Sequence, residues 1–138
     1  HGPNLNLIGV RSAAAGKQIT LDKINRALRR KAQEMNARLK ILQTHDRTKA
    51  ITFLQRNRNW ADGCLIAPGP WARSAYDLLD TLQLCKVPTM EIHFDPPYDH
   101  LEHGVASIFS EVCLSIETAS PLDAYLNGLT KLATAKRE

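Results

Sequence analysis

The sequence is poor in aromatic residues and cysteine, and it has no long apolar run. Aromatic side chains make up 6% of the 138 residues, too few to supply the stacking surface that single-stranded nucleic acid needs. No apolar run approaches the roughly 20 residues that cross a bilayer, and no signal peptide is visible. Cys64, Cys85 and Cys113 lack CxxC spacing, which favours buried free thiols in a reducing compartment. We therefore expect a cytoplasmic protein with no membrane partner.

The remaining composition is that of a globular protein. Hydrophobic residues make up 43% and charged residues 23% of the chain, and the length suits one domain over residues 1–138. The 18 basic residues exceed the 14 acidic ones, for a net charge of +4. The excess is concentrated between Arg26 and Arg58, and such clusters on amphipathic helices are more typical of a solvated face than of a nucleic-acid surface. We expect no nucleic-acid partner.

Helical and strand-like segments alternate along the chain. Apolar periodicity predicts helices over residues 21–38, 48–60 and 72–85 and from residue 120 onward, with Thr20 as one N-cap and Pro121 at a first helical position. Short apolar runs predict strands at residues 39–43, 63–67, 87–93 and 112–116. The alternation predicts an α/β fold, a flavodoxin-like three-layer αβα sandwich with a central parallel sheet. We expect its first strand upstream of residue 1, because the sheet otherwise lacks a central member.

Ligands of such sheets bind at the carboxyl ends of the strands. Arg11 lies in VRSAAAGK, which has no large apolar anchor beyond Val10. We expect this segment to open and close as a lid, with a guanidinium that binds an anion or stabilises a developing negative charge. Glu91 and His93 share one face of a predicted strand, with His93 at its carboxyl end. Two interpretations stay open for them: a hydrogen-bonded structural pair, or a general acid or base with its orienting neighbour.

The segment FDPPYDHLEHG suggests a metal site at first sight. It contains Asp95, Asp99, His100 and His103, and His93 precedes it. The spacing matches none of the strong zinc patterns, and a polar active-site loop explains these residues equally well. We predict no metal and no cofactor.

Several motifs resemble one enzyme family. GPNLNLIG is followed by Arg11, and EIH ends a predicted strand. Between them lie T-L-x-x-I at residues 20–24, LQTHD at 42–46, ADG-x-L-I-x-P at 61–68, L-x-D-x-L at 78–82 and VP-x-x-EIH at 87–93. In order and spacing the chain resembles type II 3-dehydroquinate dehydratase, most loosely after Pro96.

The resemblance implies roles for individual residues. In that family a lid arginine lowers the pKa of a lid tyrosine, whose phenolate removes a proton beside a ketone, and a histidine at the strand end protonates the departing hydroxyl. Arg11 matches the arginine, Asn4 an asparagine that stabilises the intermediate through a water, and Glu91 and His93 the strand-end pair. Asp80 matches an aspartate presented across a trimer interface. The resemblance thus implies a homo-oligomer, a trimer or a dodecamer of four trimers.

The chain also departs from the family pattern. Gly16 stands at the position of the lid tyrosine, so the usual base is absent. Other substitutions change the expected substrate-binding positions, which here are Pro68, Arg73, Asp95, Tyr98 and His100. Because a positioned general base contributes about 10² to 10⁴ in rate, we expect impaired dehydratase chemistry unless Tyr98 or Asp95 substitutes for the base.

Three hypotheses remain open from the sequence. The first is a diverged member that binds or transforms a different small hydroxylated cyclic metabolite. The second is a working 3-dehydroquinate dehydratase, a lyase that forms 3-dehydroshikimate and water with a substitute base. The third is a non-catalytic oligomeric scaffold.

Overall fold

The structure, a computed structural model, describes residues 1–95 and 106–137. The helices are α1 (Ile8–Ala14), α2 (Leu21–Glu34), α3 (Arg47–Asn57), α4 (Tyr76–Cys85) and α5 (Pro121–Arg137), with short 3-10 helices at Leu5–Leu7 and Gly69–Arg73. The strands are β1 (Cys64–Ile66), β2 (Thr89–Phe94) and β3 (Ser115–Ala119). Within the described ranges none of the helices is long and apolar enough to cross a bilayer.

The three strands form a parallel sheet in the order β1, β2, β3. Met90 and Ile92 of β2 pack on one face against α2 and α5. On the other face, Trp71, Leu78 and Phe109 form a second apolar cluster. The sheet therefore lies between two helical layers, and the predicted α/β three-layer sandwich is confirmed.

Local side-chain chemistry sets the ends of the helices. α2 begins at Leu21 because the hydroxyl of Thr20 accepts the Lys23 N–H at 3.2 Å. It ends at Glu34, four residues earlier than the pattern predicts, since Asn36 adopts a left-handed φ of 54°. Pro121 begins α5 as predicted.

Residues 39–43 are not a strand, so that prediction is wrong. Within the described residues, the backbone hydrogen bonds near this segment join Leu42 and Thr44 to His1 only. An apolar cavity of about 200 Å³ separates the segment from β1, and an extended segment becomes a strand only when a neighbour completes its ladder. The expected strand upstream of residue 1 stays a prediction.

Two other elements differ in their bounds from the sequence-based prediction. The last strand begins at Ser115 rather than at residue 112, because the N–H groups of Val112 and Cys113 bond back to Phe109 O in a turn. Phe109 is fully buried, and this packing holds the turn out of the sheet. The predicted helix over residues 72–85 is divided between the second 3-10 helix and α4.

Candidate active site

The first residues form a turn against the carboxyl end of β1. The Gly2 N–H donates to Ala67 O at 2.9 Å. A Cβ at Gly2 would lie 2.6 Å from Pro68 O, so only glycine fits this close approach. Asn4 follows with a left-handed φ of 65°, a conformation that asparagine tolerates better than most residues.

Arg11 lies on α1, and this helix is anchored. The hydroxyl of Ser12 is fully buried, donates to Ile19 O at 2.9 Å and accepts the Ile19 N–H at 2.8 Å. Ile8 is also buried, whereas Val10 is 68% exposed. A buried serine rather than an apolar side chain thus holds α1 in place, and the opening and closing of this segment as a lid stays a prediction.

Glu91 and His93 lie on the same face of β2, as their spacing predicts. The carboxylate of Glu91 is fully buried and accepts a hydrogen bond from His93 Nε2, while the His93 side chain is 31% exposed. Glu91 Oε1 has no hydrogen-bond partner in the part of the chain that the structure describes. Because Nε2 is engaged, Nδ1 is the imidazole atom that can exchange a proton with a ligand.

Asn4, Arg11 and His93 line one cleft. It has a volume of about 50 Å³ and is closed on its other sides by residues that include Pro70 and Phe94. The cavity beside residues 39–43 is larger, but its lining is mostly apolar and includes none of these three side chains. The small cleft thus brings a guanidinium, an amide and an imidazole together at the carboxyl end of the sheet.

Comparison with known proteins identifies the family. A family model described as dehydroquinase class II matches residues 1–133. The chain belongs to this family. A 3-dehydroquinate dehydratase of Dictyoglomus turgidum is 31% identical over 129 residues, which cover 94% of this chain and 89% of that protein. Another, from Roseiflexus castenholzii, is 36% identical over 98 residues, which cover 71% and 62%.

Solved structures of class II dehydroquinases share the fold. The type II dehydroquinase of Butyrivibrio crossotus superposes with a TM-score of 0.82 at 20% identity, covering 95% of this chain and 92% of that one. A 3-dehydroquinate dehydratase-like protein from Bifidobacterium longum gives a TM-score of 0.66 at 16% identity, with coverage of 99% and 94%. The architecture of this chain is therefore that of the dehydroquinase class II family.

Three predicted substrate-binding residues lie outside the lining of the cleft. Pro68 is buried beneath the first turn. Arg73 ends the second 3-10 helix and is partly buried. Asp95 is exposed, and its N–H donates to Ala119 O at 2.9 Å. Their roles in substrate binding stay predictions.

The remaining predicted residues lie further from the cleft or outside the described ranges. Asp80 is exposed on α4, and its place at a subunit interface stays a prediction. Tyr98 and His100 lie outside the described residues. Gly16 has a φ of 93° and no atom within 4 Å of a Cβ built on it; its correspondence to the family's lid tyrosine stays a prediction.

The two described tyrosines do not line the cleft. Tyr76 is 64% exposed on α4. Tyr125 is buried on α5, where its hydroxyl bonds to His1 Nδ1 at 2.6 Å. Burial raises the pKa of the Tyr125 phenol, so it stays protonated. Neither tyrosine serves the cleft as a phenolate base.

Two side chains of the LQTHD motif contact the first turn, although sequence reasoning gave them no role. Gln43 Nε2 donates to Gly2 O at 3.2 Å, and His45 Nδ1 accepts the Asn4 N–H at 3.2 Å. The motif itself was the available signal, but only the tertiary fold shows which turn it meets.

Within the described ranges, no three His, Cys, Asp or Glu side chains lie close enough together to hold a metal ion.

Proposed function

We propose that this protein is a hydro-lyase that removes water from 3-dehydroquinate to give 3-dehydroshikimate. The observation that supports the proposal is the single cleft lined by Asn4, Arg11 and His93. Relatives that match over most of the chain are named 3-dehydroquinate dehydratase. In this reaction a proton leaves the carbon beside the ketone, a carbon–carbon double bond forms, and the hydroxyl leaves as water.

Arg11 supplies the positive charge of the cleft. It lies one residue before the buried Ser12, so α1 presents its guanidinium from an anchored backbone. A guanidinium is always charged at neutral pH and forms paired hydrogen bonds with carboxylates. It would stabilise the substrate carboxylate or the enolate that forms when the proton is removed. Asn4, which lines the same cleft, would assist through a water.

His93 would deliver the proton to the departing hydroxyl. The Glu91 carboxylate accepts a hydrogen bond from Nε2, which orients the ring and balances the charge of an imidazolium. The transferable proton would then lie on Nδ1, on the side away from Glu91. Removing such an oriented acid typically costs about 10² to 10⁴ in rate.

The proton-abstracting base is the part of the reaction that the described residues do not supply. Position 16 is glycine, and neither Tyr76 nor Tyr125 lines the cleft. This favours a second candidate function: a protein that binds 3-dehydroquinate or another small hydroxylated cyclic acid in the same cleft and turns it over slowly or not at all.

The ultraviolet absorbance of the enone product separates the two candidates. We expect purified protein at high concentration to raise the absorbance of a 3-dehydroquinate solution faster than the uncatalysed rate, and Arg11→Ala to abolish the rise. Arg29→Ala is a matched control, because Arg29 is exposed on α2. No rise with the unmodified protein would rule out the lyase.

A thermal-shift measurement tests the binding candidate. Stabilisation by 3-dehydroquinate or a related hydroxy acid, lost in Arg11→Ala and kept in Arg29→Ala, would support a binding protein. If neither Arg11→Ala nor His93→Ala changes turnover, ligand binding or stability, the cleft has no function and the protein is a scaffold.

A further inference from the structure

We infer that His45 and Gln43 are positioning residues of this site, because they hold the turn that presents Asn4 to the cleft. The choice of ligand rests on the proposed function, whereas the positioning of Asn4 rests on the hydrogen bonds described below. His45 and Gln43 lie on the segment between residue 39 and α3, more than 35 residues from the turn along the chain.

Side-chain contacts reach both ends of the turn. Gln43 Nε2 donates to Gly2 O at 3.2 Å, on the amino side. His45 Nδ1 accepts the Asn4 N–H at 3.2 Å, on the carboxyl side. Between them, the Thr44 N–H donates to His1 O at 3.1 Å. Leu42 O also accepts the His1 backbone N–H at 2.9 Å, so four consecutive residues of one segment bond to the first four residues of the chain.

The backbone conformation of Asn4 explains why the His45 contact affects the direction of the Asn4 side chain. Asn4 has a φ of 65°, and its side chain makes no capping hydrogen bond to the 3-10 helix that follows. The side chain therefore depends on the backbone of the turn for its direction. The contact fixes one N–H of that turn, while the close approach of Gly2 to β1 fixes the other end.

The contact requires a lone pair on His45 Nδ1. An imidazole nitrogen that accepts an N–H bond carries no proton, so the neutral ring must be protonated at Nε2. A protonated ring would place an N–H against the Asn4 N–H and lose the bond. His45 is exposed, so its side chain can be replaced without opening the core.

Three substitutions at residue 45 separate positioning from general packing. In His45→Asn the amide oxygen occupies the place of Nδ1 and can accept the Asn4 N–H. In His45→Gln the amide lies near the place of Nε2, and in His45→Ala there is no acceptor. We expect hydrogen exchange at the Asn4 amide to be about tenfold faster in the alanine and glutamine variants and within about threefold of the parent in His45→Asn.

The affinity for 3-dehydroquinate should depend on residue 45 in the same way as hydrogen exchange at Asn4. We expect its Kd to rise about five- to tenfold in His45→Ala and to be restored by His45→Asn, because a misplaced Asn4 weakens ligand contacts. Asp46→Ala is the matched control: it removes the cap of α3, where Asp46 Oδ1 accepts the Thr48 N–H at 2.9 Å, and should lower the midpoint of thermal unfolding without changing exchange at Asn4.

Two results would overturn the inference. One is equal exchange at Asn4 in the parent and His45→Ala. The other is a rise in exchange or Kd in Asp46→Ala as large as in His45→Ala, since this would indicate general loosening of the segment. If the parent protein binds no 3-dehydroquinate, the proposed function fails, and the exchange order alone decides whether His45 positions Asn4.

Discussion

Removal of the Ser12 hydroxyl tests how α1 is held over the cleft. Ser12 is fully buried, and its Oγ bonds to both the N–H and the carbonyl of Ile19 at 2.8 and 2.9 Å. Alanine is a good helix former, so Ser12→Ala should not disturb α1 itself. The substitution leaves the N–H and the carbonyl of Ile19 without their hydrogen-bond partner. A buried unsatisfied group costs about 1–3 kcal/mol.

Ile19 is only partly buried, so water can reach part of its backbone in the variant. We therefore expect Ser12→Ala to lower the free energy of unfolding by about 2 kcal/mol, rather than by the sum for two fully buried groups. Ser110→Ala is the matched control, because that hydroxyl is exposed and donates to Ser107 O at 2.8 Å. It should change the free energy of unfolding by less than about 0.5 kcal/mol.

Urea unfolding measures both variants. Ser12→Ala should lower the midpoint with an unchanged slope, and it should also weaken ligand binding, since Arg11 is the adjacent residue. If Ser12→Ala unfolds at the same urea concentration as Ser110→Ala, the hydroxyl does not anchor α1, and Arg11 does not extend from a fixed backbone.

Four further substitutions, one of them a control, test other parts of the fold by the same unfolding measurement. Lys131→Ala should lower the free energy of unfolding by about 1–2 kcal/mol, because it removes the cation that lies 2.5 Å from the buried carboxylate of Glu117. Arg26→Ala is the control and should lower it by less than about 0.5 kcal/mol, because its ion pair is exposed. Equal effects of the two substitutions would contradict this prediction. Burial raises the pKa of Cys64 to about 11, so between about pH 9 and 11 the thiol ionises in the unfolded chain but not in the folded one. The free energy of unfolding should therefore fall over this pH range, and Cys64→Ala should reduce that fall. Gly2→Ala should cost about 1–3 kcal/mol, because its Cβ would lie 2.6 Å from a backbone carbonyl oxygen; an unchanged stability would show that the turn can move away from β1.

The sequence predicts those features that depend on neighbouring residues. Thr20 caps α2 and Pro121 begins α5 as expected, because capping involves groups within a few positions of one another. Glu91 and His93 share a face of β2 because side chains in any strand alternate with a period of two. The shared cleft of Asn4 and His93 is predictable only through the rule that sites lie at the carboxyl ends of parallel strands.

Other features depend on residues that are distant in the chain. Residues 39–43 have the composition of a strand, but without a completed ladder they lie outside the sheet. The start of β3 depends on the packing of Phe109, which holds residues 112 and 113 in a turn. The sequence does not predict that Ser12 anchors α1, because serine is usually a surface residue and its contact with Ile19 forms only in the folded chain.

From the sequence we could predict the α/β alternation, the starts of α2 and α5, and the pair of residues at the end of β2. These depend on periodicity, caps and short-range sterics, which act over a few residues. Only the three-dimensional packing shows that Arg11 extends from an anchored helix and that His45 bonds to the Asn4 turn. Such contacts join residues from different elements, and the free energy that selects them comes from the packing of the whole sheet and its helices.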